Sequence, residues 1–154
     1  MSKPHQAIKI CESLASKIKK EINDIDLILS PAMGGIIVGY ELGKILNKKT
    51  IFSERVKGEF KLRRDFQIKK GIKVLIVEDV ITTGKSGLEC SKLVKESNAD
   101  IVGYACIIDR SNGKSKIKEK IISQVQLNNP TYNKDNLPKE LLLIKAVKPG
   151  SRNI

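Results

Sequence analysis

The apolar run Val74-Leu75-Ile76-Val77 passes directly into two acids, Glu78 and Asp79, and then into Val80-Ile81-Thr82-Thr83-Gly84-Lys85-Ser86. Four unbroken apolar residues between Gly71 and an acid pair read as a strand buried on both faces, and such strands belong to parallel sheets covered by helices. In open α/β sheets the ligand lies beyond the carboxyl ends of the strands, so the two acids stand where chemistry is expected. The loop behind them offers backbone N–H groups, the hydroxyls of Thr82, Thr83 and Ser86, and the Lys85 ammonium at the start of a helix expected near Ser86. That combination cradles phosphate. A nucleoside-triphosphate loop also ends in Gly-Lys-Ser, but its opening glycine would stand five residues before Gly84, where this chain has Asp79. Paired acids ahead of a phosphate loop suit a ligand with a phosphate at one end and vicinal hydroxyls elsewhere, which describes a sugar phosphate.

The rest of the chain supplies a scaffold of alternating strands and helices. Apolar residues at Ala7/Ile8, Cys11, Leu14/Ala15, Ile18 and Ile22 predict an amphipathic helix over residues 4–22. Asp26 to Ser30 reads as the first strand, followed by Pro31-Ala32-Met33-Gly34-Gly35 and a helix from Ile36 to Leu46. Two glycines between strand and helix let the backbone approach a ligand and leave helix N–H groups for an anion. Thr50 to Ser53 is a second strand. Val56, Phe60, Leu62 and Phe66 then alternate with charges around Gly58, which predicts a hairpin standing away from the sheet. A helix over 87–97, a buried strand over Ile101–Ile108 and a last strand over Ile121–Leu127 complete a single α/β domain, residues 1–154, with about five parallel strands flanked by helices and no internal repeat. Arg110 follows the buried strand, where a guanidinium offers a planar fork to a carboxylate or an amide edge, or pairs with Asp109 or another nearby acid.

Composition narrows the partners. With 29 Lys and Arg against 17 Asp and Glu, the formal net charge of +12 calls for acidic company, either nucleic acid or a phosphorylated substrate. Only three Phe and three Tyr accompany the cations, so a stacking platform for single-stranded nucleic acid is not expected. Cys11, Cys90 and Cys106 lie far apart and a single His5 completes no metal cluster. No apolar run is long enough to span a bilayer and no signal-peptide pattern follows Met1. These features predict a cytoplasmic protein with reduced, buried thiols and no membrane partner.

The stretch Val74–Ser86 resembles the phosphoribosyl-diphosphate (PRPP) signature of the type I phosphoribosyltransferases: four apolar residues, two acids, two apolar residues, then Thr-Thr-Gly-x-Ser. Elements spread along the chain are similar to one bacterial branch of the orotate phosphoribosyltransferases: Ser30 to Ile36, Glu54-Arg55, Leu62-Arg63-Arg64, Ile108-Asp109-Arg110, the turn at Asn129 to Tyr132, and Lys148 to Arg152. This resemblance implies a phosphoribosyltransferase core with a mobile hairpin flap, transferring the phosphoribosyl group of PRPP to orotate. It implies that Ala32, Met33, Gly34 and Gly35 hold pyrophosphate, often through a cis peptide, and that Arg55 and Val80, Ile81, Thr82, Thr83, Gly84, Lys85 and Ser86 complete PRPP binding. Glu78 and Asp79 would hold the ribose hydroxyls and favour the cationic transition state. Lys57 and Lys61 on the flap would act in catalysis with them, Thr82 and Arg110 would contact orotate, and Mg²⁺ would be bound mainly through PRPP. A homodimer with each flap reaching the partner's site is implied as well. Two departures stand out: Lys85 replaces a commoner glycine, and the chain begins at the first core helix where these enzymes usually carry a hood of some forty residues. A PRPP-sensing regulator that binds nucleic acid and a purine phosphoribosyltransferase are the alternatives; Pro-Ala-Met-Gly-Gly and Asp-Arg weigh against the second.

Overall fold

Pro4 opens the first helix, where its fixed φ suits the helix and its missing N–H has no intrahelical acceptor to lose. Helix α1 runs Pro4–Glu21, buries Ala7, Cys11, Leu14, Ala15 and Ile18, and ends with Lys19 and Lys20 against the negative pole of its dipole. The computed structural model describes residues 2–130, 132, 133, 135–145 and 147. Along them follow β1 (Leu27–Pro31), α2 (Gly34–Leu46), β2 (Lys49–Val56), β3 (Glu59–Leu62), β4 (Lys73–Ile81), α3 (Lys85–Glu96), β5 (Asp100–Asp109), β6 (Ile121–Gln126) and α4 (Lys139–Leu142). The Lys148–Arg152 element and Thr131 of the Asn-Pro-Thr-Tyr turn lie outside the described residues.

The strands form one sheet in the order β3-β2-β1-β4-β5-β6. Neighbours from β2 to β6 pair in parallel, and β3 closes one edge antiparallel to β2. The five parallel strands are those the apolar runs predict. The hairpin differs from its expectation: β2 continues to Val56 and β3 pairs with it from Ser53↔Leu62 to Val56↔Glu59, so the ribbon's base is part of the sheet. Phe60 is the reason, since its buried ring packs into the core on one sheet face. Lys57 (φ 49°) and Gly58 (φ 89°) make the two-residue turn, both left-handed as a tight hairpin requires.

Both faces of the sheet are covered. Leu75 and Val77 of β4 join Cys11, Leu14 and Ile18 of α1 and Val38 and Leu42 of α2 in one core. Val74 and Ile76, pointing the opposite way, join Ile51, Cys90 and Val94 of α3, and Tyr104 in the other. A strand flanked by two such cores has no face for water, which accounts for its continuous apolar run. From β1 the chain winds through α2 to β2 on one side, whereas β4 winds through α3 to β5 on the other. The junction of β1 and β4 is therefore the point where strand order reverses, and in open α/β sheets the ligand crevice lies beyond the carboxyl ends at such a point.

Candidate functional site

Two loops flank that crevice, one after β1 and one after β4. The first carries a cis peptide at Ala32–Met33, and α2 begins at Gly34, so Gly34 and Gly35 form the helix's first turn rather than a turn before it. Ile36 N–H donates to the Met33 carbonyl at 3.2 Å. The second loop runs from Ile81 to α3, with Gly84 at φ 75° as the N-cap and the Thr83 hydroxyl accepting the Lys85 N–H at 3.3 Å. Thr82, Thr83 and Lys85 are exposed around it. Two helix N-termini therefore converge on one crevice from opposite faces of the sheet, each presenting backbone donors and the positive end of a dipole.

The acid pair is divided between these two helices. Consecutive residues of a strand face opposite ways, so Asp79 follows Val77 towards α2 and Glu78 follows Ile76 towards α3. A Cβ built on Gly34 would lie 2.3 Å from Asp79 Oδ2 and 2.7 Å from Oδ1, so the Asp79 carboxylate rests against the backbone of α2's first turn in space only glycine leaves open. Glu78, 7% exposed, is treated likewise by α3: a Cβ on Gly87 would lie 2.8 Å from Glu78 Oε1 and 2.9 Å from the Tyr104 ring. Asp79 remains exposed. Each carboxylate thus sits beside a helix N-terminus, where negative charge is favoured.

Arg110, at the end of β5, donates its backbone N–H to the Ile81 carbonyl at 2.7 Å and keeps its side chain exposed. The alternative of a pair with Asp109 does not form; the Asp109 carboxylate accepts the Ser111 N–H at 2.8 Å. The hairpin cations do not gather. Arg55 lies over the Phe60 ring at 4.2 Å and is held by the Glu89 carboxylate of α3 and the Gly58 carbonyl. Lys57 occupies the exposed tip, and Lys61 lies 4.0 Å from Glu59 on the ribbon's other face.

Residues 2–136 match the phosphoribosyl transferase domain family. The orotate phosphoribosyltransferase of Parvibaculum lavamentivorans is 46% identical over 152 residues, covering 98% of this chain and 78% of its own length. That of Methylorubrum extorquens is 47% identical over 152 residues, again 98% and 78%. The chain belongs to the orotate phosphoribosyltransferase family. Among solved structures, an adenine phosphoribosyltransferase superposes with a TM-score of 0.71 at 19% identity over 80% of this chain and 82% of that one. The orotate phosphoribosyltransferase of Aeropyrum pernix gives 0.70 at 17% identity over 82% and 74%. At such identities these two neighbours establish the shared type I phosphoribosyltransferase fold.

Against this orotate phosphoribosyltransferase core, the contacts that several neighbours of the site make had no signal in the sequence. Glu89 faces Arg55 from α3, thirty-four positions away. Glu54 is clasped by Arg63 at 3.0 Å and Arg64 at 2.6 Å, and the Arg64 hydrogen bond holds its carboxyl below the usual range. Tyr104, fully buried beneath Gly87, has its phenol pushed up to about 12 by burial.

Proposed function

We propose that the chain transfers the 5-phosphoribosyl group from PRPP to orotate, giving orotidine 5′-monophosphate and pyrophosphate with inversion at the anomeric carbon. The bond from that carbon to the diphosphate oxygen breaks, its electron pair leaves with pyrophosphate, and a ring nitrogen of ionised orotate forms the new bond. The observation that carries this reading is the meeting of Asp79 with the first turn of α2 at the strand-order reversal. It joins a diphosphate-sized set of N–H donors to a carboxylate within reach of a ribose, at the place where α/β sheets bind ligands.

In this reading the Ala32–Gly35 loop receives the diphosphate, and the Thr82–Ser86 loop with the α3 N-terminus receives the 5′-phosphate. Glu78 and Asp79 accept hydrogen bonds from the ribose hydroxyls and stabilise positive charge developing on the sugar. Arg110 and Thr82 orient orotate, which is already nucleophilic, so positioning and charge neutralisation are what the protein adds. The donor set suits magnesium carried by its substrate: the described residues contain no group of three or more His, Cys, Asp or Glu able to cage a metal, whereas one or two carboxylates beside substrate phosphates are how Mg²⁺ is commonly held. Bound through PRPP with Asp79 nearby, Mg²⁺ would neutralise the departing diphosphate.

The hairpin is the flap. Release of Arg55 from Glu89 would let Arg55, Lys57 and Lys61 swing over a bound diphosphate, in this subunit or its partner. A homodimer is supported by an apolar stripe continuous with the pyrophosphate loop: Met33, Ile37 and Tyr40, spaced for one helix face, are exposed at 82%, 53% and 65%. We read residues 1–154 as one core domain. A cytoplasmic setting agrees with three buried free thiols, and no helix of the described residues is long and apolar enough to cross a membrane.

The test is turnover by the purified chain with PRPP, Mg²⁺ and either orotate or adenine, products separated chromatographically. Orotidine 5′-monophosphate is expected from orotate and nothing from adenine. Adenosine 5′-monophosphate alone would overturn the base assignment, and unconsumed PRPP with both bases would overturn the activity.

A further inference from the structure

β5 and β6 are parallel neighbours, so residues 110–120 must carry the chain from the carboxyl end of one strand back to the amino end of the next. Such returns commonly contain a helix; this one contains none. Its upper part is fixed onto the phosphate loop. A Cβ on Gly84 would lie 2.5 Å from Ser115 Oγ and 2.9 Å from Ile117 Cδ1, and Ile117 packs on the α3-side core. The Ser115 hydroxyl also accepts the Ile117 N–H at 3.2 Å. With Ser115, Ile117 and Glu119 half-buried, the intervening Lys114, Lys116 and Lys118 face solvent. Lys120 pairs with Glu21. Among the described residues none of the other three lysines forms an ion pair.

We propose that Lys114, Lys116 and Lys118 form a cationic ramp that captures PRPP and delivers its phosphate to the Thr82–Ser86 loop. The inference rests on the proposed function, and it concerns the encounter rather than bond breaking. Two residues of chain span at most about 7 Å, so each lysine lies within about one Debye length of the next at physiological salt, about 8 Å, and the fields of successive charges add. Lys114 and Lys116 are chain neighbours of Ser115, whose side chain touches the loop, so the ramp ends at the phosphate cradle. Its ligand is a compact sugar carrying a phosphate and a diphosphate; the narrowness of one lysine row and the lack of an aromatic among residues 110–120 favour this over a nucleic acid strand.

The test compares kcat/KM for PRPP across salt concentrations in the wild type and in Lys114→Gln/Lys116→Gln/Lys118→Gln. All three side chains are exposed, so the fold is retained. Between about 0.01 M and 1 M salt the Debye length shrinks from about 30 Å to 3 Å. The variant should lose roughly tenfold in kcat/KM at low salt, the lower end of steering effects, converge with the wild type at high salt and keep its kcat. Replacing the same three by Arg should preserve wild-type values. A control variant, Lys19→Gln/Lys20→Gln/Lys70→Gln, removes equal charge at the opposite, amino end of the sheet and should leave the curve unchanged. Superimposable curves, an equal loss in the control, or a fall in kcat matching the fall in kcat/KM at every salt would each overturn the ramp. So would wild-type PRPP kinetics in the ramp variant accompanied by lost RNA binding. A wild type that binds PRPP without turnover would count against the proposed function alone, and the salt dependence of the PRPP dissociation constant would then test the ramp with the same outcomes.

Discussion

In the proposed reaction Asp79 is the central residue, because its carboxylate lies against the backbone of Gly34 and is exposed near the end of β4. Asp79→Asn keeps the shape and removes the charge; kcat should fall roughly hundredfold, in the range of losing one preorganised electrostatic partner, while PRPP affinity in equilibrium titration changes only a few-fold. An equal loss in affinity at unchanged kcat would assign Asp79 to ground-state binding. Gly34→Ala tests the same contact from the other side. Its methyl would meet the carboxylate at 2.3 Å, so activity should drop as in Asp79→Asn, with a stability loss of about 1–3 kcal/mol as for other overpacked positions, read by denaturant titration. Full activity in Gly34→Ala would mean that the seat of Asp79 does not matter. The position of the two acids near the end of a buried strand was legible in the sequence, because the continuous apolar run stops at them. Gly87, Tyr104 and Glu89 were not, since what surrounds Glu78 and Arg55 comes from segments that only the fold brings together.

At the scale of elements, the proposed flap is the hairpin, which meets α3 through Arg55 and Glu89. Arg55 is tied to Glu89, with side chains 41% and 23% exposed, and solvent limits such a pair to about 1 kcal/mol or less. That is weak enough to open and strong enough to bias. Glu89→Gln should speed tryptic cleavage at Lys57 by up to about fivefold, the factor that 1 kcal/mol allows, and an unchanged rate would show that the pair does not restrain the ribbon. The sequence predicted the hairpin from the alternation of Val56, Phe60, Leu62 and Phe66. It did not predict that β3 would become an edge strand, because that follows from Phe60 reaching the α3-side core, a long-range contact that local alternation does not encode. The start of α2 at Gly34 instead of Ile36 has a similar origin: glycine is a poor helix former in isolation, and here close approach to Asp79 and to the Val77 carbonyl, 2.9 Å from a Cβ on Gly35, selects it.

The whole molecule is a sheet clamped between two cores, and its cysteines report on both. Burial pushes the Cys11 thiol up to about 11 and those of Cys90 and Cys106 to about 12. A raised value in the fold means the neutral thiol is favoured there, so this stabilisation is complete below the unfolded thiol's ordinary value of about 8.5 and is lost as pH rises towards 11–12. Native protein at about pH 8 should leave all three thiols unreactive towards a disulfide reagent, and denaturant should release three; rapid reaction in the native state would contradict the burial. The topology itself was largely legible, since five apolar runs at helical separations leave few arrangements besides a parallel sheet. The exposure of Met33, Ile37 and Tyr40 was not legible, because their spacing reads in sequence as ordinary helix periodicity. If a homodimer shares its flaps, mixing Asp79→Asn with Arg55→Ala should restore part of the activity each lacks, and no recovery would mean self-contained sites.

All of this depends on one binding event at the junction of β1 and β4. Calorimetric titration of PRPP with Mg²⁺ into the folded chain, beside the same titration into a Gly34→Ala/Gly84→Ala variant that crowds Asp79 at one loop and Ser115 and Ile117 at the other, tests it most directly. Saturable binding at one site per chain, abolished or severely weakened in the variant, is the predicted result. Absence of binding by a wild type whose fold is intact by circular dichroism, or unchanged binding by the variant, would contradict the assignment of this crevice to PRPP.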